Sequence, residues 1–567
     1  MNLYIIDGSG PFFYRYKNPV INWSKLPHHH FEKRSGVKER LYNKVIKRFL
    51  KYIKRVKTLG FNAISIDDLS HIVNNKIYNM ILQRNIANRA LKFKILFKII
   101  KNYDLQIFVN TDFMFYNKEI DAHIKNSFKK ALEFFSSQII ELFQKFPEIS
   151  GVIFRFGESD GVDHVGSFRS RIIINTPSRL KTAIKHLLPI FEKYNKKLII
   201  RTWSIGSKRC AHLMWNKQVF IKVFGNIQSE SLIISMKYGE GDFFKYLKFN
   251  ELFSQTDHKK IVELQTRREY EGFGAYPYFV GYDYYNYYLE SIKNKSIIGI
   301  SVWCQTGGWS KSKFISIINK SGFWGTLNTF VTIKIFKEQM SVDDSLRLFY
   351  SQAISKGTYK LFKKFIDISD NLVNNVLYDP GFTKNDLYIN KLRLPPLLYV
   401  FWDNVIVNKG LVGIFNSFIS NKIESTKISS NSLDKIKELK KIGNKLHIPY
   451  NYRLHYDTML LFYLIRQLMY NPNDIELLNR IEKLIEQYHD NYPEHYKFSI
   501  SENFNSPAGL LIFLIKLVIR KKKRFRILDN LIFNPITSFL IITIIKLNKK
   551  SFPEFAGKIA MPVENFF

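Results

Sequence analysis

Apolar residues in the first part of the chain cluster into short runs, and longer stretches with helical spacing separate them. Residues 62–67 (NAISID), 105–110, 151–156, 198–203, 232–236, 261–264 and 297–303 are rich in Ile, Val, Leu and Phe. Runs this short and this β-branched predict buried strands. Residues 19–23 supply an eighth candidate, first in order. Between the runs, apolar positions recur every three to four residues over 37–58, 88–101, 122–146, 178–194 and 282–293, which predicts amphipathic helices. Gly60 stops the first of these helices and Pro177 stands near the start of the fourth. Eight strands alternating with helices predict a parallel sheet closed into a (β/α)8 TIM barrel, with an open doubly wound sheet as the alternative. No GxGxxG or Walker loop follows any strand, so nucleotide binding has no support.

Beyond about residue 332 the strand pattern fades. Helical spacing takes over at 342–355, 359–376, 432–446, 455–470, 475–488 and 508–521. The expected organisation is a leader over 1–17, a catalytic barrel over 18–331 and a mostly α-helical C-terminal domain over 332–567.

Composition narrows the partners more than the fold. The chain is 46% hydrophobic and 16% aromatic, ample for packed cores. Its 86 Lys and Arg against 48 Asp and Glu leave a net charge of +38. A field of that size attracts anions: an acidic glycan, nucleic acid or an anionic membrane surface. The cationic run 520–526 reads first as a solvated helix end, with an anion patch as the alternative. Two cysteines, Cys210 and Cys304, provide neither a disulfide framework nor a zinc set. No secretory signal opens the sequence, and the apolar run 539–547 is far short of the ~20 residues a membrane span needs. The expectation is a cytoplasmic protein with no membrane span.

The chemistry gathers where strands end. The run 232–236 leads into Lys237, Glu240 and Asp242, and the run 261–264 into Arg267, Arg268, Glu269 and Glu271. Upstream, Arg155 and Glu158 close one strand and Arg201 another. Barrel enzymes build their sites on such C-terminal strand ends. Glu158, Asp242 and Glu269 are the catalytic candidates. Glycoside hydrolysis needs an acid for the leaving oxygen and a carboxylate on the other face of the sugar. Carboxylates from non-neighbouring strands can face each other in that way. An arginine fork matches a planar carboxylate, so the cations on their own suggest a uronic acid.

Read in series, KYGEGD, ELQTRREYEG, GISVWCQTGGW and FWGTLNTFVTIKIF resemble the α-glucuronidases of glycoside hydrolase family 67, and FRFGESDG and IIRTWS match the same family's strands. The resemblance covers roughly residues 40–345 with order and spacing kept. It implies an inverting exo-glycosidase of polysaccharide degradation. In that reading Glu158 is the general acid, and Asp242 with Glu269 activates water. Arg201, Lys237 and, with one residue of slip, Arg155 would hold the substrate carboxylate. Two features depart from the family. The loop reads YGEG where the family carries a proline, which makes Glu240 a rival to Asp242, and only about 40 residues precede the barrel instead of a β-rich domain.

The remaining candidates carry less. Trp203, Trp303 and Trp309 at strand ends can stack on a sugar ring, and core packing serves them equally. Asp67, with Asp68 and His71, is a candidate for sugar hydroxyls. His28, His29 and His30 can line the site or bind a metal, with a polar loop the preferred reading. Asp160, Asp163 and His164 match no standard ligand spacing. No cofactor and no metal are expected. The expected partner is an acidic oligosaccharide substrate and not nucleic acid. Two alternatives stay open: a barrel hydrolase for another anionic sugar, and a non-catalytic polyanion- or polysaccharide-binding protein.

Overall fold

Leu3–Asp7 (LYIID), in the stretch expected to be a leader, is the first strand of a closed barrel in a computed structural model that describes residues 1–33, 36–156, 166–204, 208–305, 308–389, 392–505, 516 and 518–521. Four apolar residues, two of them β-branched, then Asp7 and a Gly-Ser-Gly-Pro turn carry a full strand signal, and the run needs no help from position 19 onward. The expected first strand at 19–23 is corrected accordingly. Only Ile21–Asn22 is extended there, and it pairs with Trp309–Ser310 outside the barrel.

The barrel strands are β1 (Leu3–Asp7), β2 (Ala63–Asp67), β3 (Gln106–Asp112), β4 (Gly151–Arg155), β5 (Lys197–Arg201), β6 (Leu232–Lys237), β7 (Lys259–Gln265) and β8 (Ile297–Trp303). They are parallel, each pairs with its sequence neighbours, and β1 closes on β8. At that closing seam Leu3 lies opposite Gly299, where a Cβ would run into the Leu3 carbonyl; only glycine fits. The helices α1 (Glu39–Leu59), α2 (Met80–Lys101), α3 (Phe128–Lys145), α4 (Pro177–Lys193), α5 (Lys217–Phe224), α6 (Gly281–Ile292) and α7 (Phe323–Glu338) follow the strands, except that a short 3-10 turn, Glu251–Ser254, follows β6. Gly60, at φ +113°, ends α1 in the left-handed conformation that favours glycine. The helix after β8, α7, runs through residue 332, so the expected boundary falls inside a barrel element.

The two faces of the strands carry different chemistry, because successive side chains alternate. Outward residues such as Ile64, Val109, Val152, Leu198, Ile234 and Val262 join the main core under the helices. Inward residues Leu3, Ile5, Ala63, Phe108, Ile153, Ile199, Ile233 and Ile261 form a separate apolar floor inside the barrel. Stepping on by two along the same strands reaches Asp7, Ser65, Asn110, Ser235 and Ser301, then Asp67, Asp112, Lys237, Gln265 and Trp303, all buried. The barrel is dry below and ionic at its mouth.

The C-terminal part is mostly helical, with α8 (Val342–Ala353), α9 (Tyr359–Leu372), α10 (Lys409–Phe418), α11 (Lys422–Asp434), α12 (Ile436–Leu446), α13 (Tyr452–Tyr470) and α14 (Ile475–Asn491). Helix α10 and most of α11 were not among the expected helices, and most of the expected helix 508–521 lies outside the described residues. Small sheets, among them Val400–Phe401, Asn404–Val407 and Lys497–Ile500, complete it. Polar contacts fasten it to the β6 and β7 loops: Lys245 to Asp370 at 2.7 Å, Tyr378 to Glu271, and Tyr496 to the Tyr270 carbonyl at 3.2 Å. No described helix is long and apolar enough to cross a membrane.

Candidate active site

Two groups of side chains share the barrel mouth. On the β6–β7 side, Asp242 accepts hydrogen bonds from the Lys237 ammonium, from the Phe243 amide at 2.8 Å and, on its other oxygen, from the Tyr270 hydroxyl at 2.8 Å. Tyr270 directly follows Glu269, so one hydrogen bond ties the β6 loop to the β7 loop. Glu269 is 3% exposed, and Gln265 holds it twice: the Gln265 amide donates to Oε1 at 3.0 Å and its carbonyl accepts the Glu269 backbone N–H at 3.0 Å. A Cβ on Gly308 would collide with both Glu269 Oε2 and the indole of Trp402. The C-terminal part therefore brings a tryptophan to the edge of the expected catalytic carboxylate.

The cations expected to clamp a substrate carboxylate are each paired inside the protein. Arg201 sends Nε and Nη2 to the two oxygens of Glu263 at 2.9 and 2.8 Å, and Ser235 donates to the same carboxylate at 2.6 Å. Burial opposes ionisation of Glu263, but Arg201 and these donors hold its carboxyl below the usual range. Lys237 pairs with Asp242 and lies 3.1 Å from the centroid of the Trp203 ring. Arg155 meets Asp112 at 2.9 Å and Asp67 at 3.6 Å. Lys25 and Ser170 join Asp112, whose carboxyl stays well below the usual range, because Lys25 and Arg155 outweigh its burial. Asp67 is pushed up to about 6 by burial, with Arg155 only partly offsetting it, and accepts the Leu26 amide at 3.2 Å.

Trp203 packs with Met214, Trp215 and the C-terminal Leu392. The Trp303 ring lies 4.6 Å from the Arg201 guanidinium, and its buried Nε1 has no hydrogen-bond partner among the described residues. Glu240, the rival to Asp242, stands in the field of Tyr388 and Arg393 of the C-terminal part. Arg268 and Glu271 pair with each other at 3.0 Å and serve the docking of Tyr378. Arg267 is buried against Trp23 at 4.3 Å, and its donors go to the carbonyls of Phe273 and Ser312. Glu158, Asp160, Asp163 and His164 lie outside the described residues, as does the side chain of Trp309.

Reading the sequence missed Glu263, Asp112, Lys25, Tyr270 and Trp402. For Glu263 a signal existed. Ile261 faces inward, so a residue two further on in the same strand must do so too. A glutamate there interrupts the apolar run.

No protein-family model and no curated protein matches the sequence. Solved structures do resemble it at low identity. A GH138 enzyme targeting pectin rhamnogalacturonan II aligns with TM-score 0.48 and 11% identity, over 87% of this chain and 62% of that one. CpGH84B aligns with TM-score 0.37 and 11% identity, over 83% and 74%. An endoglucanase aligns with TM-score 0.30 and 12% identity, over 46% and 83%. This chain thus spans less than two thirds of the GH138 enzyme's length. Similarity at this level carries no functional assignment. Function has to be argued from the site.

Proposed function

We propose that the protein is a glycoside hydrolase that releases an acidic sugar from a glycan by an inverting, α-glucuronidase-like reaction. The observation that carries the reading is the linked pair Asp242–Tyr270–Glu269 on consecutive strand-end loops at the barrel mouth. Two carboxylates on one side of a sugar ring can orient and deprotonate an attacking water, provided they are held still. Gln265 and Tyr270 hold them. Glu158, reached from β4 three strands before β7, is assigned the acid on the opposite side by the family resemblance. Trp402 supplies apolar surface at the edge of Glu269, where an indole face can stack on a sugar ring.

The acidic-sugar part is separable from the hydrolytic part. It rests on Lys237 and Arg201, which already bind Asp242 and Glu263. A uronate entering here shares these cations with the protein's own carboxylates. The two parts are tested together by initial rates on a panel of α-uronide and matched neutral α-glycoside oligosaccharides, with wild type beside Asp242→Asn. Release of sugar from uronides alone, abolished in the variant, is the expected result. Release from neutral sugars at the same rate removes the acidic specificity. No release from any member of the panel removes the hydrolase.

A further inference from the structure

The β1 and β2 ends of the mouth, opposite β6 in the barrel, hold a cluster that this reaction does not use. His28 stands in the short helix His28–Phe31 of the loop after β1, and His71 in the turn Leu69–His71 that Asp68 caps after β2. Asp68 Oδ1 lies 2.6 Å from His71 Nδ1 and 3.8 Å from His28 Nε2. One ligand atom from each of the three residues lies within 4.8 Å of the other two. The imidazoles stack with centroids 4.0 Å apart and planes at 16°. His28 is 3% exposed and His71 1%, with the Asp68 side chain at 13%. Phe93 and the edge of Phe168 wall the pair on either side, at 6.1 and 5.2 Å.

We propose that His28, Asp68 and His71 bind one divalent transition-metal ion of the zinc class. Two imidazoles and one carboxylate suit borderline first-row ions, whereas magnesium and calcium prefer all-oxygen sets. An ion bound at ~2.0–2.2 Å to each atom sets the ligand atoms ~3–3.5 Å apart. The 3.8 Å separation is close to that, and the 2.6 Å one has to open by less than ~1 Å. Asp68 already has the supporting partners such a ligand requires: Ser70 Oγ donates to its Oδ2 at 3.0 Å and the His71 amide to its Oδ1 at 3.2 Å. The Arg89 guanidinium fixes the turn from behind through the His71 carbonyl at 2.9 Å. The ion would lock the β1 loop onto the end of β2, beside Asp67, and so fix the rim of the mouth away from Asp242 and Glu269.

The test uses the full chain without a histidine tag, stripped with a chelator and reloaded. Expected are one retained zinc per chain after gel filtration, visible ligand-field absorption of the Co2+ form, and a thermal midpoint raised by ~3 °C or more at 100-fold excess of zinc over its Kd. His28→Ala and His71→Ala each drop retained zinc to below ~0.1 per chain and remove the thermal response. Asp68→Asn, which keeps the side-chain volume, replaces a variant that does not fold. The Co2+ spectrum needs no variant at all. Wild-type protein that binds less than ~0.1 zinc and gives no Co2+ band overturns the site, leaving a hydrogen-bonded His–Asp pair. Zinc retained equally by the histidine variants overturns it too, because the ion then sits elsewhere.

Discussion

The floor and the mouth of the barrel are built from the same strands on the same inward face, yet they obey different rules. At the floor, Ile153, Ile199, Ile233 and Phe108 pack in one apolar cluster. Two residues further along, Arg155, Arg201 and Ser235 are buried as deeply, but every charge among them has a partner of opposite sign. Burial at the floor contributes stability directly, at ~25 cal/mol per Å² of apolar surface. Burial of an ion pair at the mouth roughly cancels against its desolvation. What the mouth gains is a fixed arrangement of charge.

That contrast breaks most visibly on activity. Asp242→Asn and Glu269→Gln are expected to lower hydrolysis by ~10²–10⁴-fold, far beyond any loss of folded protein, Asp242→Asn also lowering the thermal midpoint because Lys237 loses its buried partner. Phe108→Ala should do the reverse: a loss of ~3–5 kcal/mol in urea denaturation, with the rate per folded molecule retained. A floor substitution that kills the rate, or a mouth substitution that only destabilises, dissolves the distinction.

Glu263→Ala sits between the two regions. It strands the Arg201 guanidinium in a buried site, and a loss of ~3–5 kcal/mol is expected from denaturation midpoints. The double variant Glu263→Ala/Arg201→Met should recover a large part of it, since a buried pair replaced by apolar groups costs little. No recovery means that Arg201 is held by something other than Glu263.

The comparison extends to the C-terminal cover. His455 on α13 stacks on Tyr276 of the β7 loop with centroids 5.1 Å apart, and burial pulls its imidazole down to about 3. It stays neutral in the folded chain, whereas the unfolded chain takes up a proton below about 6.5. Stability is therefore full above that pH and is lost as pH falls toward 3, by roughly 2–3 kcal/mol between pH 7 and 4.5. Urea midpoints across that range measure it, and His455→Phe should flatten the profile. An unchanged slope in the variant assigns the loss to other groups.

The smallest effect concerns selectivity. Lys237→Met should reduce the preference for a uronide over its neutral counterpart by ~10–100-fold, the worth of a charged hydrogen bond. Equal losses on both substrates place Lys237 in support of Asp242 alone.

Seven of the eight barrel strands were legible because parallel strands covered on both faces read as short apolar runs between helices. β1 escaped because an apolar run at the chain start resembles a leader, and the better-flanked run at 19–23 took its place in the count. Asp242, Glu269, Lys237 and Arg201 could be singled out because they stand at strand ends in a recognisable series. Glu263 was not, because it is a charge inside a strand whose value depends on which face it takes; Asp112 closes β3 two residues past the end of the apolar run 105–110. Trp402 had no signal at all: it reaches the mouth from a hairpin about a hundred residues beyond β8, and only the docking of the C-terminal part brings it there.

The central claim is that this mouth hydrolyses an α-linked acidic sugar with inversion. Proton NMR of the reaction on an α-glucuronide-bearing oligosaccharide reads it directly, in the first minutes before the free sugar mutarotates. The account predicts the β-anomer of the released uronic acid as first product. The α-anomer appearing first contradicts the inverting pair Asp242 and Glu269, and no released sugar contradicts the enzyme.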